Sequence, residues 1–529
     1  MITEKGQISF TEIDSIPQLI KDFLNGKLTD FSDQLFSLDN FSKAISAKQK
    51  SYDFEKREVL FNVLTNQYQD VELSSKQREN LELLKDKNTF TIITGHQLNL
   101  FSGPVFFIYK ILQTIKTAEF VQSNFPGYSI VPIFWMASED HDFEEINHFR
   151  TENHFYEIKA NSGGAVGRIS IEDQFFLHEF EKEFKDSIYG TELIRWMKEA
   201  YSQGKTLTQA TRLLVQRLFS DFGLLCIDGD EASLKKQMIS TFGEELKSNA
   251  LLNFSKSKVE FLQKEYHKVQ VNPRDINLFY LTETRNRIDF NGKNYFVVDT
   301  DFVFTKEELC SELQNYPEKF SPNALMRPVF QETVLPNLAY SGGNAEIMYW
   351  MELKDYFDHL ELPFPLLIPR NSMLFLNEKT LKKIEKLDLK IPDFFKNFAD
   401  LVQEQLVENH ILTQLIENKK QEILLIFNDL KSQASVTDVT FKNLVLAEET
   451  RQLKSYEKMH KRLLRAEKIK QGEKLERLEN LFYTVHPGKT WQERALNFSV
   501  FYGDHGRDWL QSCYDKMDVE KSALIIMQI

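Results

Sequence analysis

Four polar residues, Glu139-Asp140-His141-Asp142, follow directly on the apolar run Ser129-Ile-Val-Pro-Ile-Phe-Trp-Met136 and the pair Ala137-Ser138. Carboxylates and an imidazole so close in sequence repel or titrate one another unless a proton, cation or ligand neutralises them. Such a group can do general acid–base work, hold Mg²⁺, or grip a substrate amine. The plainer alternative is a helix N-cap with an acidic first turn. That accounts for one or two of the acids but not for the whole cluster beside an apolar strand. Glu139, Asp140, His141 and Asp142 are therefore the candidate catalytic residues.

A second constellation is Thr94-Gly-His-Gln-Leu-Asn-Leu-Phe-Ser-Gly-Pro104. It matches neither GxxxxGK[ST] nor GxGxxG. Gly95 and Gly103 permit close backbone approach. His96, Gln97 and Ser102 can donate or accept hydrogen bonds. A helix opening at Pro104 would offer free N–H groups and a positive dipole end to a phosphate or carboxylate. Lys110 adds charge if it faces the cleft. Gly95, His96, Gln97, Ser102 and Gly103 are the candidate cofactor-binding residues, against the plainer reading of a tight turn with a satisfied histidine. In Ala339-Tyr-Ser-Gly-Gly-Asn-Ala-Glu346, Gly342 and Gly343 could form an anion nest while Glu346 holds a hydroxyl or amine. A plain loop before a helix over 347–357 fits equally well. Arg327 could anchor a carboxylate or phosphate, although a lone Arg before Pro is more often structural.

These residues need a frame. Residues 89–95 are β-branched and bounded by Gly, which reads as a buried strand. Pro104 opens a helical run to about residue 122, since Pro suits a first helical turn. Ser129–Met136 is a second strand. Strand, helix, strand makes a βαβ unit, hence a parallel sheet with a right-handed crossover. Residues 223–228 and 364–370 read as further strands, the prolines confining the latter to an edge or a strand end. In such sheets ligands bind beyond the carboxyl ends of the strands. The expectation is an α/β protein with a Rossmann-like core over 1–375. Its first eighty residues read as helices with polar linkers, and 151–220 and 235–320 as connective insertions.

From 376 to 482 the chain is rich in Glu, Lys, Gln and Leu. Leu412, Leu415, Ile423, Ile426 and Leu430 lie near heptad spacing, as do Leu446, Leu453, Tyr456, Leu463, Leu478 and Phe482. A break at 431–438 splits the run into an antiparallel helical hairpin. Its seam is narrow for a self-sufficient core, so the arm is expected to pair with a second copy. Residues 483–529 return to mixed composition and are expected to fold back on the core or the arm base.

Composition narrows the function. The 529 residues carry a net charge of −13, which argues against general nucleic-acid binding. The basic run over 458–477 is interleaved with Glu and reads as a solvated helix face. Cys226, Cys310 and Cys513 lie far apart without a CxxC pair, so no structural metal site is expected and a reducing compartment suits the chain. The N-terminus lacks a signal-peptide pattern and no long apolar stretch occurs, so the expectation is a cytoplasmic location without membrane contact.

Together the motifs resemble the bacillithiol-synthesis cysteine ligase family, BshC, over essentially the full length. The resemblance rests on Thr94-Gly-His-Gln, Phe101-Ser-Gly-Pro104 and Tyr109-Lys110. It rests equally on Phe134-Trp-Met-Ala-Ser-Glu-Asp-His-Asp-Phe-Glu-Glu-Ile-Asn147, on Ser321-Pro-Asn323 and Arg327-Pro328, on Leu335-Pro-Asn-Leu-Ala-Tyr-Ser-Gly-Gly-Asn-Ala-Glu-Ile-Met-Tyr-Trp350, and on Gln492-Glu-Arg-Ala-Leu-Asn497. It departs from the family pattern at His96, where Gln is common, at Ser138, where Gly is common, and at Asn344-Ala345, which replace Pro-Gly. The resemblance implies a Rossmann-like core related to nucleotidylyl transferases and class I synthetases, with a coiled-coil arm that pairs two subunits. It implies that cysteine is joined through its carboxyl group to the amine of glucosaminyl-malate. Activation by ATP or a related nucleotide, with Mg²⁺ as a further candidate, goes with that reaction. Asn147, Arg327, Gly342, Gly343 and Glu346 are the expected substrate-binding residues. A nucleotidylyl transferase activating another small acid is the alternative.

Overall fold

A computed structural model describes residues 2–160, 162–408, 411–434 and 436–529. Asn409 and His410, within the expected arm, and Ser435, within its expected break, lie outside the described residues. The chain divides into two compact units. One comprises the residues through Glu12, Ile16–Phe375 and Trp491–Ile529; the other comprises Ile13–Ser15 and Leu376–Thr490.

The first unit is organised by a five-stranded parallel sheet. Its strands are β1 (Thr89–His96), β2 (Ser129–Met136), β3 (Leu225–Asp228), β4 (Asn337–Gly342) and β5 (Leu366–Pro369), in the order β5-β4-β1-β2-β3. β1 and β2 are buried along almost their whole length, as continuous β-branched and aromatic runs in a doubly covered sheet must be. They run in register through Gly95↔Trp135 and His96↔Met136, so both chains leave the sheet at one level. Between them runs the crossover helix α1 (Phe106–Asn124), itself largely buried. β5, with its terminal Pro369, is an edge strand, as its prolines require.

The chain order reverses at β1. β2 and β3 extend the sheet on one side and β4 and β5 on the other. This is the switch point at which parallel sheets open a crevice. β4 was not legible in the sequence: 337–342 forms a fully buried strand where a loop was the expectation, and the following helix is α3 (Asn344–Glu352), not 347–357. Gly342 ends β4 by steric necessity. A Cβ there would lie 2.7 Å from both Glu346 Oε2 and the Tyr340 ring.

The insertion over 235–320 carries a five-stranded antiparallel sheet that includes Leu278–Leu281, Arg285–Phe290 and Phe320–Pro322. The helix α2 (Met326–Val334) follows and leads into β4. The all-helical expectation for the first eighty residues needs one correction. Thr3–Ser9 is a strand, paired antiparallel with Ala523–Gln528 near the opposite end of the chain.

The second unit contains the hairpin of α4 (Ile411–Ala434) and α5 (Val439–Lys470). Its unit runs to Thr490 rather than to 482. The seam also differs from the heptad reading. Phe427, Ala434 and Val445 are buried together with Ile423 against them, whereas Leu415, Ile426, Leu430 and Leu446 remain exposed. Heptad spacing identifies an apolar stripe but not which neighbour covers it.

A candidate active site at the switch point

Beyond the carboxyl ends of β1, β2 and β4 lies a cavity of about 640 Å³. Its walls include Gly95, His96 and Gln97 from the β1 turn, Glu139, Asp140 and His141 from the β2 turn, and Arg327 and Glu346 from α2 and α3. Segments that lie 251 residues apart in sequence, from Gly95 to Glu346, thus meet where the strand order reverses.

The β1 and β2 turns are joined directly. Gln97 Nε2 donates to Asp140 Oδ2 at 2.7 Å and to Glu145 Oε2 at 2.9 Å. Asp140 Oδ1 accepts from the His141 N–H at 2.8 Å and faces Arg285 Nη1 at 3.8 Å. Burial pushes the Asp140 carboxyl up, but the bonds from His141 and Gln97 and the charge of Arg285 more than reverse this. The net position is well below the usual carboxylate range. Arg285 Nη1 lies 3.0 Å from His141 Nδ1. A guanidinium can only donate, so in this contact Nδ1 is the acceptor, which leaves Nε2 to carry the ring proton; the same Nδ1 stands 3.5 Å from Asp140 Oδ1. Arg285 also stacks 3.9 Å over Phe279 and donates to Ser321 and to the Pro322 carbonyl, which fixes its plane.

Glu139 has a different task. It is buried and pairs with Lys235 Nζ at 2.6 Å, and Lys235 also meets Asp230 at 3.1 Å. Asp230 in turn holds Arg168 by two bonds of 2.7 and 2.9 Å. Glu139 therefore belongs to a structural charge network that reaches the cavity wall.

At the switch point itself, Lys110 reaches from α1 to Glu346 Oε1 at 2.7 Å and to the Gly95 carbonyl. Glu346 Oε2 accepts the Gly343 N–H at 2.9 Å, at the start of α3, where the helix dipole favours negative charge. Burial would raise the Glu346 carboxyl, but Lys110 outweighs it and the net shift is downward. His96 sits beside Phe106 and Phe107, and its Nε2 is buried without a hydrogen bond among the described residues. Burial, then the charge of Lys110, pushes its imidazole down to about 3, so it is neutral at working pH. Arg327 is held by Gln331 at 2.9 Å and by the Tyr349 hydroxyl at 3.3 Å, and makes no ion pair among the described residues. Arg274, at the cavity wall, makes none either.

Several expected site residues lie elsewhere. Asp142 caps the turn Phe143–Ile146 by accepting from Glu145, the plainer role weighed for it. Asn147 is buried against His148 and Glu157. The nest expected of Gly342 and Gly343 does not form, because Glu346 takes the Gly343 N–H.

Ser102 and Gly103 do not line the cavity, and the start of α1 does not face it. Phe101, Ser102 and Gly103 all take positive φ, at 45°, 67° and 61°. That costly turn is over-determined by its surroundings. The Phe101 ring packs on Phe149, Phe180 and Phe498, its N–H donates to the Tyr201 hydroxyl, and Asn497 Nδ2 donates to the carbonyls of Phe101 and Gly103. The Val105 N–H is taken by the Leu496 carbonyl. The conspicuous Phe-Ser-Gly-Pro string is therefore a folding device, and the Gln492-Glu-Arg-Ala-Leu-Asn497 string is its clasp.

No local pattern in the sequence marks Arg274, Phe279 or Arg285. They come from the 235–320 insertion and reach the cavity only through the folding of its sheet.

Comparison with known proteins agrees with this architecture. Residues 4–371 match the family model "Bacillithiol biosynthesis BshC, N-terminal Rossmann-like domain", and residues 373–529 match the corresponding C-terminal coiled-coil domain. The chain belongs to the BshC family. A protein of Flavobacterium johnsoniae is 40% identical over 514 residues, covering 96% of this chain and 97% of its own length. One of Christiangramia forsetii is 37% identical over 533 residues, covering 98% of each. One of Bacillus cereus is 25% identical over 536 residues, covering 95% of this chain and 96% of its own. All three bear the name "Putative cysteine ligase BshC". The Rossmann-like core and coiled-coil arm of these family models are the two parts expected from the sequence. No helix among the described residues is long and apolar enough to cross a membrane.

Proposed function

We propose that this chain is a ligase of bacillithiol synthesis that joins the carboxyl group of cysteine to the amine of glucosaminyl-malate, with a nucleotide activating the carboxylate. The observation that carries the reading is the Gln97–Asp140 link in the wall of a switch-point cavity, in a chain whose relatives are named as putative cysteine ligases.

Amide formation from a free carboxylate is uphill in water, so the acid must first be activated. A nucleotide supplies that chemistry by converting a carboxylate oxygen into a leaving group. The cavity is of nucleotide size. Arg274 and Arg327, guanidiniums without a carboxylate partner among the described residues, are the groups that would hold its phosphates. The chain's own side chains do not fit a resident Mg²⁺. Among the described residues no three His, Cys, Asp or Glu side chains converge on a cation position, and Glu139 is already engaged by Lys235.

Asp140 binds and orients the attacking amine. Its carboxylate is too weak a base to keep the proton that the amine sheds, which passes on to water, but it stays ionised throughout and stabilises positive charge as the C–N bond forms. His141, fixed by Arg285, presents Nε2–H as a donor to a developing oxyanion. Much of the rate comes from holding two substrates in line. The enzyme works in the cytoplasm as a homodimer joined through the exposed stripe of its helical arm.

The test is thiol profiling by mass spectrometry in cells lacking the protein, with ATP–pyrophosphate exchange on the purified chain. Accumulated glucosaminyl-malate, no bacillithiol and cysteine-dependent exchange are expected. Exchange that ignores cysteine and follows another small acid would move the chain to the nucleotidylyl-transferase reading.

A further inference from the structure

One stretch of cavity wall is suspended rather than built. Residues 268–277, between the helix Ala250–Tyr266 and the strand Leu278–Leu281, contain neither helix nor strand, yet bring Val271, Asn272 and Arg274 to the cavity. Backbone groups in such a strap need partners from outside it. At one end Glu352 Oε1 accepts from the N–H groups of Gln270 at 2.8 Å and Val271 at 3.3 Å. At the other end the Asn277 side chain takes the Arg274 N–H at 3.1 Å and donates to its carbonyl at 2.8 Å. Asn277 is itself held by Glu245 at 2.8 Å.

Glu352 is a costly choice for its position. It is 1% exposed, at the C-terminal end of α3, where the helix dipole disfavours an anion. Its second oxygen is buried without a hydrogen bond. An apolar residue would pack there at lower cost. The two strap N–H groups are its hydrogen-bond partners, and Tyr349 and Glu346, about one and two turns earlier on the same helix, line the cavity.

We propose that Glu352 is a positioning residue, whose buried carboxyl group ties the strap at Gln270 and Val271 and so sets where Val271 and Arg274 stand in the cavity. It rests on the reading of this cavity as the active site only for its effect on substrate binding.

Charged neighbours do not explain the acid. Against α3 pack the helix Gln18–Leu24, with Lys21 and Asp22; the helix Ala250–Tyr266, with Lys256, Lys258, Glu260, Lys264 and Glu265; and the helix Lys354–His359, with Lys354, Asp355, Asp358 and His359. None of them pairs with Glu352. Asp22 meets Lys27, Lys258 meets Asp30 and Asp355, Lys354 meets Asp358, and His359 meets Glu244. Burial pushes the Glu352 carboxyl up to about 7, and the two N–H bonds offset only part of that. The neutral acid still accepts through its carbonyl oxygen, and burial beneath the closed strap favours the protonated form by more than the two N–H bonds favour the ionised one. As pH rises through 7 each tied molecule must bury a charge that opening the strap would release to water. The tie therefore weakens with rising pH.

Amide hydrogen exchange on the full chain, corrected for intrinsic rates, tests this, with the parallel sheet as internal reference. In the wild type, exchange over 268–277 should rise between pH 6 and 8.5 while the sheet stays protected. Glu352→Gln, a neutral acceptor of the same shape, should stay at the low-pH level throughout. Glu352→Ala should exchange about tenfold faster in the strap at both pH values, as loss of two hydrogen bonds predicts. Protection in Glu352→Ala equal to wild type, or a pH response retained in Glu352→Gln, would overturn the proposal. A loosened strap with KM unchanged for every substrate would leave the tie standing and count against the active-site reading instead.

Discussion

Gln97 Nε2 lies 2.7 Å from Asp140 Oδ2, and this bond ties the turn after β1 to the turn after β2 at the cavity wall. Both residues leave strands that are in register to their last residue, so the contact is set by the sheet and only finished by the side chains. Gln97→Ala removes one of the bonds that favour ionised Asp140. The sign follows from linkage. A depressed carboxyl contributes stability above its ordinary value, and that contribution is lost as pH falls through the folded one. Without Gln97 the folded value rises, so the acid limb of the kcat/KM profile should move to higher pH. A limb that stays in place would detach Gln97 from the chemistry.

Asp140→Asn and His141→Ala should each lower bacillithiol formation by about a hundredfold, the scale of losing one charge-stabilising group. Both residues are near the surface of the cleft, so unfolding midpoints in denaturant should stay close to wild type. Activity retained in either would remove that residue from the mechanism.

Arg327→Ala should raise KM for the anionic substrate or nucleotide about tenfold with a smaller change in kcat. Arg327→Lys should rescue little. The guanidinium is oriented by Gln331 and Tyr349 at once, and a lysine ammonium cannot reproduce that fork. Steady-state kinetics on both variants decide the point.

The sheet and both strand-end turns were readable because their signals are local. Residues 89–95 and 129–136 are β-branched and apolar, and Pro104 stands at the head of α1. The acidic quartet was legible as a cluster but not as separate jobs. Only the fold shows Glu139 turned to Lys235, Asp140 to Gln97 and Asp142 to its own turn. β4 was missed because Ala339-Tyr-Ser-Gly-Gly carries turn residues, and tertiary burial between β1 and β5 overrides that propensity. Arg285 and Arg274 were invisible for another reason. Their importance comes from which cavity the insertion's sheet reaches, and no periodicity encodes that.

The clasp behind the cavity should show in stability before it shows in rate. Arg370 and Glu493 form a two-bond ion pair at 2.9 Å each, with side chains 3% and 2% exposed. Removing one partner strands a buried charge, so Glu493→Ala should cost about 3–5 kcal/mol in denaturant unfolding. Replacing both with apolar residues of similar volume should cost much less. A single substitution with no effect would mean that water reaches the pair.

The arm offers the last prediction. Leu415, Ile426 and Leu430 are 50%, 57% and 45% exposed, and they recur at 11 and 4 residues, which places them on one side of α4. The hairpin's inner contacts are made by other residues, Ile423, Phe427, Ala434 and Val445. A solvated stripe of this kind is costly unless a partner covers it, and a second copy of the same stripe would do so. Leu415→Asp with Ile426→Asp puts charges into that exposed stripe while leaving Ile423, Phe427, Ala434 and Val445 in place. In light scattering the wild type should run as a dimer and the double variant, at the same concentration, as a monomer, with its helix content by circular dichroism unchanged. A dimer that survives both charges would place the subunit contact elsewhere.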